Sequence, residues 1–119
     1  MLTIECPAGK PLLIDGVVMH FNRRTSVTFE TPAVRFLAGS WVMAEGEATT
    51  PLRRLYLALQ TAYVGPRDDR AEAMSVANAL AHQIGTPACL SALAQARVNQ
   101  FHEALRVLRD AFRAERPAR

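Results

Sequence analysis

Apolar and polar positions alternate in short runs over residues 1–50 and then switch to a helical period. Pro11-Leu12-Leu13-Ile14 and Val17-Val18-Met19-His20-Phe21 flank Asp15-Gly16, a dipeptide that supplies the positive φ angles of a two-residue hairpin turn. Asn22-Arg23-Arg24 reads as a second hairpin tip before Thr25 to Phe29, where Val27 and Phe29 alternate with polar neighbours. Thr31-Pro32 interrupts, Val34 to Leu37 starts another extended stretch, and Gly39-Ser40 precedes a last one, Trp41-Val42-Met43. Five or six strands this short predict a small antiparallel sheet or a partial barrel.

The period changes at Thr49-Thr50-Pro51, where a threonine N-cap and a proline in the first helical position start a helix. It should run to about Val64, with Gly65-Pro66 as its stop. Leu52, Leu55, Tyr56, Leu59 and Tyr63 form its apolar stripe, but Leu57, Ala58, Ala62 and Val64 fall outside it, so most of the circumference is apolar. Such a helix is covered on two sides, by the sheet and the later helices or by a second subunit. A homo-oligomer, most simply a dimer, is therefore expected. A second helix is predicted from about Asp69 to Gln83, ended by Gly85, and Thr86-Pro87 caps a third. After a break near Val98-Asn99-Gln100, the last helix carries Phe101, Ala104, Leu105, Leu108, Ala111 and Phe112 on one stripe, and the tail from Glu115 to Arg119 should fray. The fold class is α+β in a single domain, 1–119, with a β-rich part at 1–48 and a bundle of about four helices at 49–119.

Half of the residues are hydrophobic and 21% are charged, which excludes a disordered chain. The longest apolar run, Leu55 to Leu59, is far too short for a transmembrane helix. Met1 to Glu5 carries no basic region ahead of an apolar stretch, so neither a signal peptide nor a membrane association is expected, and the compartment should be cytoplasmic. The net charge is +3 and is unevenly spread: the first fifty residues are slightly acidic and the remainder basic, and all but one of the basic residues are arginine. Arginine offers a planar fork for phosphates and a face for stacking.

Catalytic signatures are missing: there is no nucleophile elbow, no glycine-rich phosphate loop and no zinc-protease motif. Cys6 and Cys89 lie far apart, His20, His82 and His102 are scattered, and both thiols should be reduced and buried. No catalytic residue, metal or cofactor is expected. The unusual feature is Arg53-Arg54 in the first turn of a helix, where the macrodipole disfavours cations. Either Glu45 or Glu47 pairs with them, or they form an anion-binding corner with the free N–H groups of the turn. Arg23-Arg24 is a second basic pair with no acidic neighbour in sequence. Together Arg23, Arg24, Arg53 and Arg54, with Tyr56 as a stacking group, form the candidate RNA-binding set. Arg106, Arg109 and Arg113 make a secondary basic face on the last helix, with Arg106 at salt-bridge spacing from Asp110.

From Glu47-Ala48-Thr49-Thr50-Pro51-Leu52-Arg53-Arg54-Leu55-Tyr56 the sequence resembles the FlbT family of flagellum-biosynthesis repressors. Gly9-Lys10 and Ile14-Asp15-Gly16-Val17-Val18 are similar to the family's Pro-Gly-Glu-Lys and Asn-Gly-Ala-Val. Asn22-Arg23-Arg24 resembles its Gly-Asp-Arg-Arg turn, and Gln60 to Tyr63 its Gln-x-x-Tyr. The family's Arg-Glu-Lys-Asp-Ile-Met segment is replaced by Leu37-Ala38-Gly39-Ser40-Trp41-Val42-Met43, without its charges. The resemblance implies a post-transcriptional repressor that associates with the 5′ untranslated leader of flagellin mRNA and promotes its degradation, in partnership with the regulator FlaF. The alternative is an adaptor or chaperone-like module that binds flagellin or FlaF and affects the mRNA indirectly.

Overall fold

The computed structural model describes residues 1–115; of the tail expected to fray, residues 116–119 lie outside the described part, while Glu115 is held by an ion pair with Arg53. Five strands precede four helices: β1 (Leu2–Cys6), β2 (Pro11–Ile14), β3 (Val17–His20), β4 (Thr25–Phe29), β5 (Phe36–Ala38), α1 (Pro51–Val64), α2 (Arg70–Ile84), α3 (Pro87–Arg97) and α4 (Phe101–Arg113). The α+β order is as expected. The strands, however, form two small antiparallel sheets, β3–β2–β5 and β1–β4, and no barrel closes among the described residues.

The Asp15-Gly16 turn forms with both φ values positive, and it joins β2 to β3 with Leu13 opposite Val18. Its tip docks on the end of α1, where the Gly16 N–H donates to the Val64 carbonyl at 2.6 Å. A Cβ at Gly16 would meet the Pro66 nitrogen at 2.8 Å, so the close approach admits only glycine.

Three expectations need correction. The first strand, β1, was not foreseen, although Leu2, Ile4 and Cys6 alternate with Thr3 and Glu5; it pairs with β4, Ile4 opposite Val27. The Arg23-Arg24 turn is no hairpin tip, because the strands on either side of it lie in different sheets. Trp41-Val42-Met43 is no strand. Gly39–Trp41 is a 3-10 turn, and Met43 is held by a side chain: its N–H donates to Gln60 Oε1 at 2.8 Å and its carbonyl accepts from Gln60 Nε2 at 2.9 Å. One amide group does for Met43 what a neighbouring strand would do.

The helices start where the caps predict. The Thr50 hydroxyl accepts from the Arg53 N–H and the Thr86 hydroxyl from the Cys89 N–H. Helix α1 packs against α2, α3 and α4, and its Leu55, Tyr56, Leu59 and Val64 are buried. Ala73, Ala77 and Ala81 on α2, Ala92 and Ala96 on α3, and Ala104 on α4 are small enough to let the helices approach closely. Leu13, Leu37 and Met43 from the β-rich part join the same core, which makes it continuous across the two parts. Each fully buried leucine contributes about 1.5–3 kcal/mol relative to exposure. Both cysteines are free and buried, and no helix is long and apolar enough to cross a membrane among the described residues.

Candidate nucleic-acid interface

The family-like Gln60 and Tyr63 lie one turn apart on α1 and act on the same piece of surface. Gln60 fixes the backbone at Met43 and so places Trp41 beside α4, while Tyr63 carries its ring to the start of α4. A row of rings with an arginine at each end results. The Arg109 guanidinium lies 4.0 Å from the Trp41 ring centre and donates to the Ser40 hydroxyl at 3.0 Å. Trp41 meets His102 edge-on at 6.1 Å, and His102 meets Tyr63 edge-on at 5.4 Å. Tyr63 stacks on Phe101 at 5.2 Å, and Arg35 covers both rings at 5.5 and 5.7 Å. Arg35 is steadied by Asn99 in the α3–α4 turn, whose side-chain Oδ1 accepts from it at 2.7 Å. Apart from Phe101, which is buried beneath, these side chains are half-buried or exposed. Burial pushes the Tyr63 phenol up, against the opposing pull of Arg35 and the Phe36 backbone, so the ring stays neutral beside its cation.

Beyond Arg35 the row opens into a cleft of about 390 Å³ that also presents Asp15, Arg67 and Arg70. Arg70 donates to Asp15 at 2.8 Å and to the Gly65 carbonyl at 2.9 Å, and Arg67 pairs with Asp15 at 3.4 Å. Three arginines and one carboxylate thus line the cleft. Such a cleft attracts anions, and the partly exposed rings of the row lead up to it, so that cationic and aromatic groups share one surface, as in proteins that bind single-stranded nucleic acid.

The residues singled out from sequence are placed differently. Tyr56 cannot stack on a ligand: it is 1% exposed, and its hydroxyl donates to the Trp41 carbonyl at 2.6 Å. Arg53 lies over the Phe112 ring at 5.1 Å and pairs with Glu115 at 3.8 Å. The carboxylates expected to hold it do not, and Glu47 instead accepts from the Ala44 N–H. Arg54 is exposed on the other side of α1, beside α2. Arg24 pairs with Glu5 at 3.4 Å across the β1–β4 pair, while Arg23 is exposed without an ion pair among the described residues. No hydrogen bond or ion pair joins the two arginine pairs among the described residues. Arg106 pairs with Glu103 rather than Asp110, Arg113 is exposed, and only Arg109 of that face enters the row.

Sequence reasoning missed Arg35, Trp41, Tyr63, His102, Arg67 and Arg70 as a group. The available signal is the family-like Gln-x-x-Tyr spacing, while the helical period alone places Tyr63 on the apolar stripe. Among the described residues no cluster of three His, Cys, Asp or Glu side chains is assembled that could hold a metal.

A sequence model described as "Flagellar protein FlbT" matches residues 2–118. A protein of Chelativorans sp. named "Probable flagellum biosynthesis repressor protein FlbT" is 35% identical over 63 residues, 53% of this chain and 43% of that protein. A protein of the same name from Agrobacterium fabrum is 34% identical over 65 residues, 55% and 43% of the two chains. One from Bradyrhizobium diazoefficiens, named with the suffix 2, is 33% identical over 69 residues, 58% and 50%. The chain therefore covers about half, or less, of the length of these relatives. No solved structure matches it significantly.

Proposed function

Because the chain belongs to the FlbT family, we propose that it is a cytoplasmic post-transcriptional repressor in flagellum biogenesis that binds the 5′ untranslated leader of flagellin mRNA and promotes its degradation. The observation that carries the RNA part is the row from Arg109 through Trp41, His102 and Tyr63 to Arg35, ending in the arginine cleft. Unpaired bases stack on the rings and guanidinium faces, and the cleft takes phosphate. Arg23 serves as an outer phosphate contact. The protein is read as a binding module and not an enzyme, so cleavage of the message falls to a separate ribonuclease.

Fluorescence anisotropy with a labelled flagellin leader tests this. Arg35→Gln with Arg109→Gln should weaken binding, and each lost phosphate contact should reduce the salt slope by about 0.7. Arg53→Ala with Arg54→Ala is the comparison: loss of binding there, with the row variants unaffected, would move the site to the start of α1. The adaptor reading, binding flagellin or FlaF, draws on β3, an edge strand with Val17 and Val18 more than half exposed, which an extended segment of a partner protein could lengthen. Co-purification of flagellin or FlaF that survives ribonuclease treatment would favour it.

A further inference from the structure

Away from the cation–ring row, α1 and α2 leave an open groove of about 460 Å³ between them. Its floor is apolar: Leu57 and Ala58 from α1 face Val76 and Leu80 from α2, and Val76 is 46% exposed. Its ends differ in charge. Arg54 and Leu80 lie at one end, and Thr61 with Asp69 and Glu72 at the other, because the two helices run antiparallel. Arg54, Asp69 and Glu72 make no hydrogen bond or ion pair through their side chains among the described residues.

We propose that this groove is the face through which two copies of the chain pair. A twofold axis through the middle of the groove turns one copy end for end, so Arg54 of each copy meets the acidic end of the other. Both ion pairs then form at once, and the apolar floors cover each other. A self-complementary patch of this kind is what a twofold interface requires. An RNA would be repelled by Asp69 and Glu72, and a wholly apolar helix would leave all three charges without partners.

Light scattering on the full chain at tens of micromolar should give about twice the 13.1 kDa chain mass. Arg54→Glu, or Glu72→Arg, should each weaken the dimer about tenfold or more by setting like charges against each other. Arg54→Glu combined with Glu72→Arg should restore most of the affinity, since the swap preserves the pairing. Val76→Asp, at an exposed position, should give a folded monomer, with helical circular dichroism unchanged. A wild-type monomer at this concentration overturns the proposal, including one that accepts another protein's helix in the groove. So does a dimer indifferent to Arg54→Glu, Glu72→Arg and Val76→Asp, or a double variant as weak as the single ones.

Discussion

Arg109 lies over Trp41 with its guanidinium carbon 4.0 Å from the ring centre, and the Tyr56 hydroxyl donates to the Trp41 carbonyl. Trp41 is thus held at its backbone by one residue and at its ring by the other. Trp41 is the sole tryptophan of the chain and reports on its own surroundings. Arg109→Ala should cost about 0.5–1 kcal/mol of stability and move the emission to longer wavelength as water reaches the indole. Arg109→Lys keeps the charge but loses the planar face, and it should give an intermediate shift. An emission maximum unchanged in Arg109→Ala would mean that the stack does not persist in solution.

Gln60 satisfies two buried backbone groups with one side chain, both on Met43. Gln60→Leu keeps the volume and leaves an N–H and a carbonyl without partners. It should destabilise the chain by about 2–4 kcal/mol. Urea unfolding measures this, and a loss below about 0.5 kcal/mol would show that water or another group replaces the amide.

The phenols dictate behaviour in alkali. Burial pushes Tyr56 well above its ordinary value of 10.0 and raises Tyr63 as well. The folded state keeps protons that the unfolded chain releases, so their contribution is complete below about pH 10 and is lost as pH climbs above it. Denaturation midpoints should therefore fall above pH 10. Tyr56→Phe should flatten that fall while costing about 1 kcal/mol at neutral pH for the lost bond to Trp41. Equal slopes in both proteins would contradict the assignment to Tyr56.

Acid acts on the β1–β4 pair. The Ser26 hydroxyl donates to Glu5 at 2.5 Å, and together with Arg24 it holds the Glu5 carboxyl below its ordinary 4.5. A lowered value means that the stabilisation is present above about pH 4.5 and disappears as pH falls through the folded value. Titration followed by carbon NMR should show Glu5 below its usual range. Ser26→Ala and Arg24→Ala should each return it upward, and a value unmoved by both would mean that neither contact persists in solution.

Elements set by local chemistry were legible in the sequence. Thr50-Pro51 and Thr86-Pro87 start helices because the hydroxyl and the pyrrolidine act within one turn, and Asp15-Gly16 turns because its two residues accept positive φ. The row was not legible, since each of its contacts spans the chain: Arg35 reaches Asn99, and Arg109 reaches Trp41. Alternation alone could not separate Trp41–Met43 from a strand, because the group that replaces the neighbouring strand sits seventeen residues on, at Gln60. Tyr56 illustrates the converse. The helical period that put it on the apolar stripe also required its burial, and proximity to Arg53 was the weaker guide.

During synthesis residues 1–48 leave the ribosome before α1 exists, yet the Gly16 and Met43 amides find their partners only on Val64 and Gln60. Until then those groups stay bonded to water and the hairpin has nothing to dock on. The division into strands first and helices afterwards is therefore one of shape and not of folding order: the amino-terminal half waits for the segment that follows it. A nascent chain stalled before Val64 would be open to proteases, and resistance has to wait further, for α2, α3 and α4, which complete the core around α1.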